Sequence, residues 1–138
     1  MIRNAKPADE NEVFGLASAL ATSFEVERDG FSKAFTSILA SKHMILLVEE
    51  VDNGLIGYVL AMYHPCFYAS GKVAWTEELY VKPEYRSQGI GRALIEAVET
   101  WAQQEGCRLS GLATRRASDF YKALGYEESA TYFKKTFF

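Results

Sequence analysis

The chain has 138 residues, 49% of them hydrophobic and 24% charged, with a net charge of −3. That composition is expected of one soluble domain with enough apolar residues to bury a core. The acidic balance, with a pI near 5.4, argues against a dedicated nucleic-acid binder, which presents a basic face. No apolar run approaches the roughly 20 residues needed to cross a bilayer. The first residues, Met1 to Pro7, lack the apolar stretch of a signal peptide. Cys66 and Cys107 have no metal-ligand spacing and are too few for a disulfide framework. The expectation is a cytoplasmic protein with no metal and with neither nucleic acid nor membrane as partner.

Ile2 to Ala5 reads as a short first strand, and Asp9 as the N-cap of a helix carrying Val13, Leu16, Ala17 and Leu20 at helical spacing. Ser23 to Gly30 is polar and acidic, and a second short helix then carries Phe31, Phe35, Ile38 and Leu39. Met44 to Glu49 reads as a buried strand. Asp52-Asn53-Gly54 is a tight-turn signal, and Leu55 to Met62 its hairpin partner. Tyr63 to Tyr68 reads as irregular, Ser70-Gly71 as a turn, and Val73 to Val81 as the next strand, stopped by Pro83. A helix from near Gly89 to about Glu105 places Ile90, Leu94, Val98 and Trp101 on one face, with Gly106 ending it. Leu109 to Thr114 reads as a strand, Ala117 to Leu124 as a helix closed by Gly125, and Tyr132 to Phe138 as a final strand. Helices alternate with strands only in the later half. The predicted fold is therefore α/β: a mixed, mostly antiparallel sheet with one right-handed parallel strand–helix–strand unit, in a single domain.

The chemistry concentrates between Val81 and Leu94, where a strand leads through a loop into a helix whose first turn holds Gly89 and Gly91. A helix start offers unpaired N–H groups and the positive end of the dipole, and glycines let a diphosphate approach the backbone closely. Arg86 and Arg92 can add charge-assisted contacts. Glycines chosen only for tight helix–sheet packing would give the same two letters. There is no G-K-[ST] for a P-loop, and Leu94 stands where a dinucleotide fingerprint wants its third glycine.

Leu79-Tyr80-Val81-Lys82-Pro83-Glu84-Tyr85-Arg86-Ser87-Gln88-Gly89-Ile90-Gly91 resembles the signature strand and R/Q-x-x-G-x-G/A phosphate loop of the GNAT superfamily of acyl-CoA-dependent N-acyltransferases. The resemblance extends along nearly the whole chain. Ile2 to Ala5 with Asp9 is similar to the family's opening strand and helix, and Ala117 to Tyr126 to its A-x-x-F-Y-x-x-x-G-F/Y motif. One departure is visible: Thr114 stands where an Asn commonly helps hold the pantetheine. The resemblance implies acetyl-CoA as cosubstrate and direct transfer of its acetyl group to a primary amine, without an acyl-enzyme. It also implies that Arg86, Ser87, Gln88, Gly89, Ile90, Gly91 and Arg92 cradle the CoA phosphates. Exposed amides around Leu79, Tyr80 and Val81, beside a bulge near Leu79, would bind the acetyl carbonyl and pantetheine.

Acyl transfer from a thioester needs a neutral amine, a stabilised oxyanion and a supported leaving thiolate. Glu77 and Glu78 are adjacent acids just before this site. In a regular strand they point to opposite faces, and a bulge shifts that parity, so pattern alone leaves open which of them meets the amine. Glu77 matches the family's acidic base position and is the first choice, with Glu78 second. Tyr121 matches the position of the general acid at the thioester sulfur; as a plain sequence feature it is a core aromatic beside Phe120. Arg115, Arg116 and Lys122 are candidates for the CoA 3′-phosphate, and a solvated helix start explains them equally well. His43, His64, Cys66 and Cys107 read as incidental.

The segments that select the acceptor in this family are here Phe24 to Phe31, Tyr63 to Trp75 and Glu127 to Tyr132. Their acids and aromatic faces suit a small cationic amine: a polyamine, an aminoglycoside or an amino-acid-like molecule. The alternatives are acetylation of a protein lysine or N-terminus and, from a different class, an acyl-CoA-binding sensor without turnover. The apolar ending Phe133, Phe137 and Phe138 either forms a homodimer interface or completes the core.

Overall fold

The computed structural model describes residues 1–52 and 54–138. In chain order the elements are β1 (Ile2–Asn4), α1 (Glu10–Leu20), α2 (Arg28–Ala40), β2 (Met44–Val51), β3 (Gly54–Cys66), β4 (Gly71–Val81), α3 (Ile90–Gln104), β5 (Ser110–Leu112) and α4 (Ser118–Ala123). The strands form one sheet in the order β1-β2-β3-β4-β5. All neighbours are antiparallel except β4 and β5, which are parallel and joined through α3. This is the mixed sheet expected from the sequence.

Successive side chains on a strand point to opposite faces, so two cores form. On one face Leu46, Val48, Tyr58 and Leu60 pack against Val13 and Leu16 of α1 and Phe35 of α2. On the other, Leu47, Val59, Ala61 and Val81 pack against Leu94, Ile95 and Val98 of α3. Leu94, Ile95 and Val98 are fully buried, each contributing about 1.5–3 kcal/mol relative to exposure. Both layers fix the height of β4 between them.

Several boundaries differ from the sequence expectation. The turn signal at Asp52-Asn53-Gly54 includes Asn53, which lies outside the described residues. Asp9 precedes α1, but its carboxylate does not cap that helix. It takes two hydrogen bonds from the Arg3 guanidinium, at 2.7 and 2.9 Å, and one from the Lys6 amide at 2.8 Å. The helix expected from Phe31 begins at Arg28, despite Gly30 in its first turn, because tertiary contacts hold it. Arg28 bonds Glu10 at 3.0 Å and lies 4.9 Å from the centre of the Phe14 ring.

The segment from Tyr63, expected to be irregular, continues β3 to Cys66. Pro65 pairs with Lys72 of β4, while β2 starts only opposite Met62, so the missing N–H of Pro65 interrupts no second ladder. β5 keeps three residues of the six expected. The final strand expected at Tyr132–Phe138 is not formed: residues 127–138 have neither helix nor strand hydrogen bonds. A strand needs a partner ladder, and this segment leaves the open edge of β5 unpaired.

Candidate active site

The strand–loop–helix segment is built by local geometry. Tyr85 and Arg86 close a single 3₁₀ turn onto Lys82 and Pro83 through backbone bonds of 2.9 and 3.2 Å. Ser87 (φ 64°) and Gly89 (φ 81°) then take left-handed backbone conformations that swing the chain into α3. Among the described residues, the amides of Ser87 through Arg92 have no hydrogen-bond partner, and no side chain caps the helix. Nothing stands within 4 Å of a Cβ built on Gly89, so a ligand can reach the backbone there. At Gly91 such a Cβ would meet the Phe120 ring at 3.4 Å, so this glycine also serves packing. Six consecutive free N–H groups at a helix start, with no acidic side chain in the first turn, fit a diphosphate.

The arginines divide their work. Arg86 Nε donates to the Val81 carbonyl at 2.8 Å, and the guanidinium lies 5.5 Å from the Tyr80 ring centre, which ties the loop to the end of β4. Arg92 pairs with Glu96 one turn along α3 at 3.3 Å and is exposed. Lys122 pairs with Glu128 at 3.2 Å.

β4 and β5 pair in parallel through Ala74–Thr76 and Ser110–Leu112, then diverge. A cleft of about 290 Å³ opens where they part. Its lining includes Glu77, Glu78, Leu79, Thr114 and Tyr121, five residues singled out in the sequence. Tyr80, Val81 and residues 86–92 do not line it; they lie further along β4 and at the start of α3.

The bulge stands at Glu77, two residues earlier than expected. The β3–β4 register passes from Leu60↔Glu78 to Ala61↔Thr76, which leaves Glu77 unpaired. Thr76 therefore faces the α3 side with Ala61, while Glu78 faces the α1 side with Leu60. Both acids keep hydrogen-bonded partners. The Glu77 carboxylate accepts from Trp75 Nε1 at 2.8 Å and is exposed. The Glu78 carboxylate accepts from the Tyr58 hydroxyl at 2.6 Å. Burial, then the Glu78 charge, push the Tyr58 phenol far above its ordinary range, so Tyr58 stays a donor.

Tyr121 is wedged between Phe120 and Tyr126, with ring centres 4.9 and 5.9 Å away. Burial raises the pKa of its phenol, and its hydroxyl makes no hydrogen bond among the described residues. Thr114 Oγ1 accepts the Ala117 amide at 3.1 Å, capping the turn into α4. Its remaining capacity faces solvent.

Sequence reasoning passed over two residues here. Tyr58 orients Glu78, and only the strand register reveals it. Thr76 is 5% exposed and lines the cleft, yet its Oγ1 has no partner among the described residues. Its place beside the two acids was the one available signal. The residues read as incidental stay outside the cleft: His43 packs edge-on against Tyr63, 5.2 Å between centres, and burial raises the Cys107 thiol pKa away from a nucleophile's range. Among the described residues no cluster of His, Cys, Asp and Glu is placed to hold a metal ion. No described helix is long and apolar enough to cross a membrane.

A parallel β4–α3–β5 unit with an open helix start and a cleft at the strand split is the arrangement of an acyl-CoA-dependent transferase. The model of the acetyltransferase (GNAT) domain matches residues 41–128, well over half of the chain. A thialysine N-epsilon-acetyltransferase from Bos taurus is 32% identical over 93% of this chain and 84% of its own. An aminoglycoside N(6')-acetyltransferase type 1 from Acinetobacter baumannii is 38% identical over 96% of this chain and 97% of its own. Among solved structures, an aminoglycoside N-acetyltransferase in complex with CoA superposes with a TM-score of 0.85 at 25% identity, covering 98% of this chain and 93% of that one. The chain belongs to the GNAT acetyltransferase family. It is an acetyl-CoA-dependent N-acetyltransferase.

Proposed function

We propose that residues 1–138 act as one domain that acetylates a small cationic amine at the cleft between β4 and β5. The observation that carries this reading is the convergence on that cleft of two carboxylates and a half-buried phenol, next to an open helix start. Acetyl-CoA supplies an activated acyl group as a thioester. The amides of Ser87 to Arg92 hold its diphosphate, with Arg86 fixing the loop. The open edge of β4 at Leu79 to Val81 receives the pantetheine, with Thr114 at the opposite wall.

Glu77 accepts the proton of the incoming ammonium, directly or through water. The exposed position of the bulge gives it that access, and Trp75 holds its orientation. Glu78 is engaged with Tyr58 and sets the charge of the acceptor side. As the amine nitrogen bonds to the acyl carbon and the C–S bond breaks, the Tyr121 hydroxyl gives its proton to the departing sulfur, and the nitrogen sheds its second proton through water to restore the phenol as the amide forms. Its raised pKa keeps that proton in place at neutral pH. The unpartnered Thr76 hydroxyl, costing about 1–3 kcal/mol while unsatisfied, finds its partner in a group brought into the cleft.

The α1–α2 connection that follows the cleft residue Leu20 carries Phe24, Glu25 and Glu27, and Trp75 precedes Thr76 on β4; these acids and aromatics favour a cation. The relatives' names, thialysine and aminoglycoside acetyltransferases, point the same way. The reading includes a cytoplasmic location and a homodimer. Release of CoA thiol measured with a panel of polyamines, aminoglycosides, thialysine-like amino acids and lysine peptides tests it. Turnover with one of the small amines is expected; turnover with peptides alone would overturn the acceptor class.

A further inference from the structure

The parallel pairing of β4 and β5 ends at the rung Thr76↔Leu112, and beyond it the cleft opens. Partners on a parallel rung project to the same face of the sheet. Thr76 lies opposite Ala61, so that face is the one covered by α3. Both Thr76 and Leu112 line the cleft, and together they close its inner end. Leu112 is half-buried and Thr76 is buried. The strand neighbours of Thr76 on this face are Ala61 across the ladder and Ala74 two residues back, both wholly buried. Neither alanine has a side chain long enough to fill space that Thr76 gave up. Thr76 Oγ1 has no hydrogen-bond partner among the described residues, so shortening this side chain breaks no bond within the chain.

The open amides of Ser87 to Arg92 lie past the end of β4, and the cleft lies further back along that strand. A donor held by those amides and laid along Val81, Tyr80 and Leu79 therefore reaches the split with its far end towards Thr76. In an acyl-CoA that far end, beyond the sulfur, is the acyl group. Tyr121, on the α3 face, lines the same cleft and meets the sulfur first.

We infer that Thr76 is the floor of the acyl subsite and restricts the donor to acetyl. The inference rests on the donor lying along β4 as proposed above, and is independent of which amine accepts the group. Beyond its Cβ, Thr76 carries a methyl and a hydroxyl group. Removing the methyl leaves room for one further methylene of the acyl chain, and removing both leaves room for two, because a packed surround collapses only in part. One methylene more than a pocket holds changes discrimination by about 10–200-fold.

Relative kcat/KM for acetyl-, propionyl- and butyryl-CoA, taken with whichever amine turns over, tests this. Calorimetric affinities for the same thioesters test it without turnover and should follow the same order. Wild type should favour acetyl-CoA over butyryl-CoA by about 10²-fold or more. Thr76→Ser should gain about 10-fold on propionyl-CoA relative to acetyl-CoA, and Thr76→Ala should gain as much on both longer donors. Thr76→Val keeps the volume and loses the hydroxyl, so it should keep the wild-type ratios even where turnover falls with every donor. Should Thr76→Ala unfold, Thr76→Ser against Thr76→Val makes the same comparison. Turnover with peptides alone would overturn the small-amine acceptor and leave these ratios standing. A wild type that takes butyryl-CoA as well as acetyl-CoA, ratios unmoved by Thr76→Ser and Thr76→Ala, or a Thr76→Val as permissive as Thr76→Ala would each overturn the inference.

Discussion

At Glu77 one unpaired residue decides how two acids are used. The bulge takes Glu77 out of the ladder and leaves it exposed in the cleft, while Glu78 returns to the α1 face and binds Tyr58. Glu77→Gln should therefore lower kcat by about 10²–10⁴ with acetyl-CoA affinity unchanged, as loss of a general base does. Glu78→Gln should act mainly on the KM for the amine. If Glu78→Gln removes turnover and Glu77→Gln does not, the two roles are exchanged. Tyr121→Phe tests the acid: kcat should fall by about 10²-fold or less, since a thiolate already leaves tolerably near neutral pH. Because burial raises the phenol, its protonated form and the activity it supports persist above pH of about 10, the ordinary tyrosine value, and fail only beyond it. That alkaline limb should vanish from the pH profile of Tyr121→Phe.

Among the elements, those with their own periodicity or stop signal were legible in the sequence. α3 announces itself through Ile90, Leu94 and Val98 and ends on Gly106, whose φ of 78° suits a glycine. The phosphate loop was legible for a similar reason: its chemistry lies in consecutive backbone amides, and consecutive residues are what a sequence displays. The bulge at Glu77 was not, because it is a property of two paired strands. The reach of β3 through Pro65 depends on where β2 begins, and the absence of a final strand on where an open edge lies. β3 and β4 also approach closely at Gly57, where a Cβ would stand 2.8 Å from the Tyr80 carbonyl oxygen. Gly57→Ala must push the strands apart next to the cleft. It should cost about 1–3 kcal/mol in denaturant unfolding, and an unchanged midpoint would contradict that contact.

On the scale of the whole molecule, a small ion cluster fastens the first strand and helix to the sheet. Arg3 bridges Asp9 and, through Nε at 3.0 Å, Glu50 of β2. Asp9 is 6% exposed, and its hydrogen bonds from Arg3 hold its carboxyl below the usual carboxylate range. A lowered folded pKa stabilises the fold above the unfolded value of about 3.9, and the contribution is lost as pH falls through the folded value. Asp9→Asn should cost about 3 kcal/mol near pH 7, where it leaves Arg3 half-paired. The gap between wild type and variant in thermal unfolding should close below pH of about 4; a gap independent of pH would place its origin elsewhere.

The central claim is that donor and amine meet at the split between β4 and β5, and a crystal structure with CoA and a turned-over amine tests it directly. The diphosphate should lie on the amides of Ser87 to Arg92, the sulfur beside the Tyr121 hydroxyl, and the amine nitrogen within one water of Glu77. CoA bound away from the start of α3, or an amine out of reach of both Glu77 and Glu78, would contradict the account.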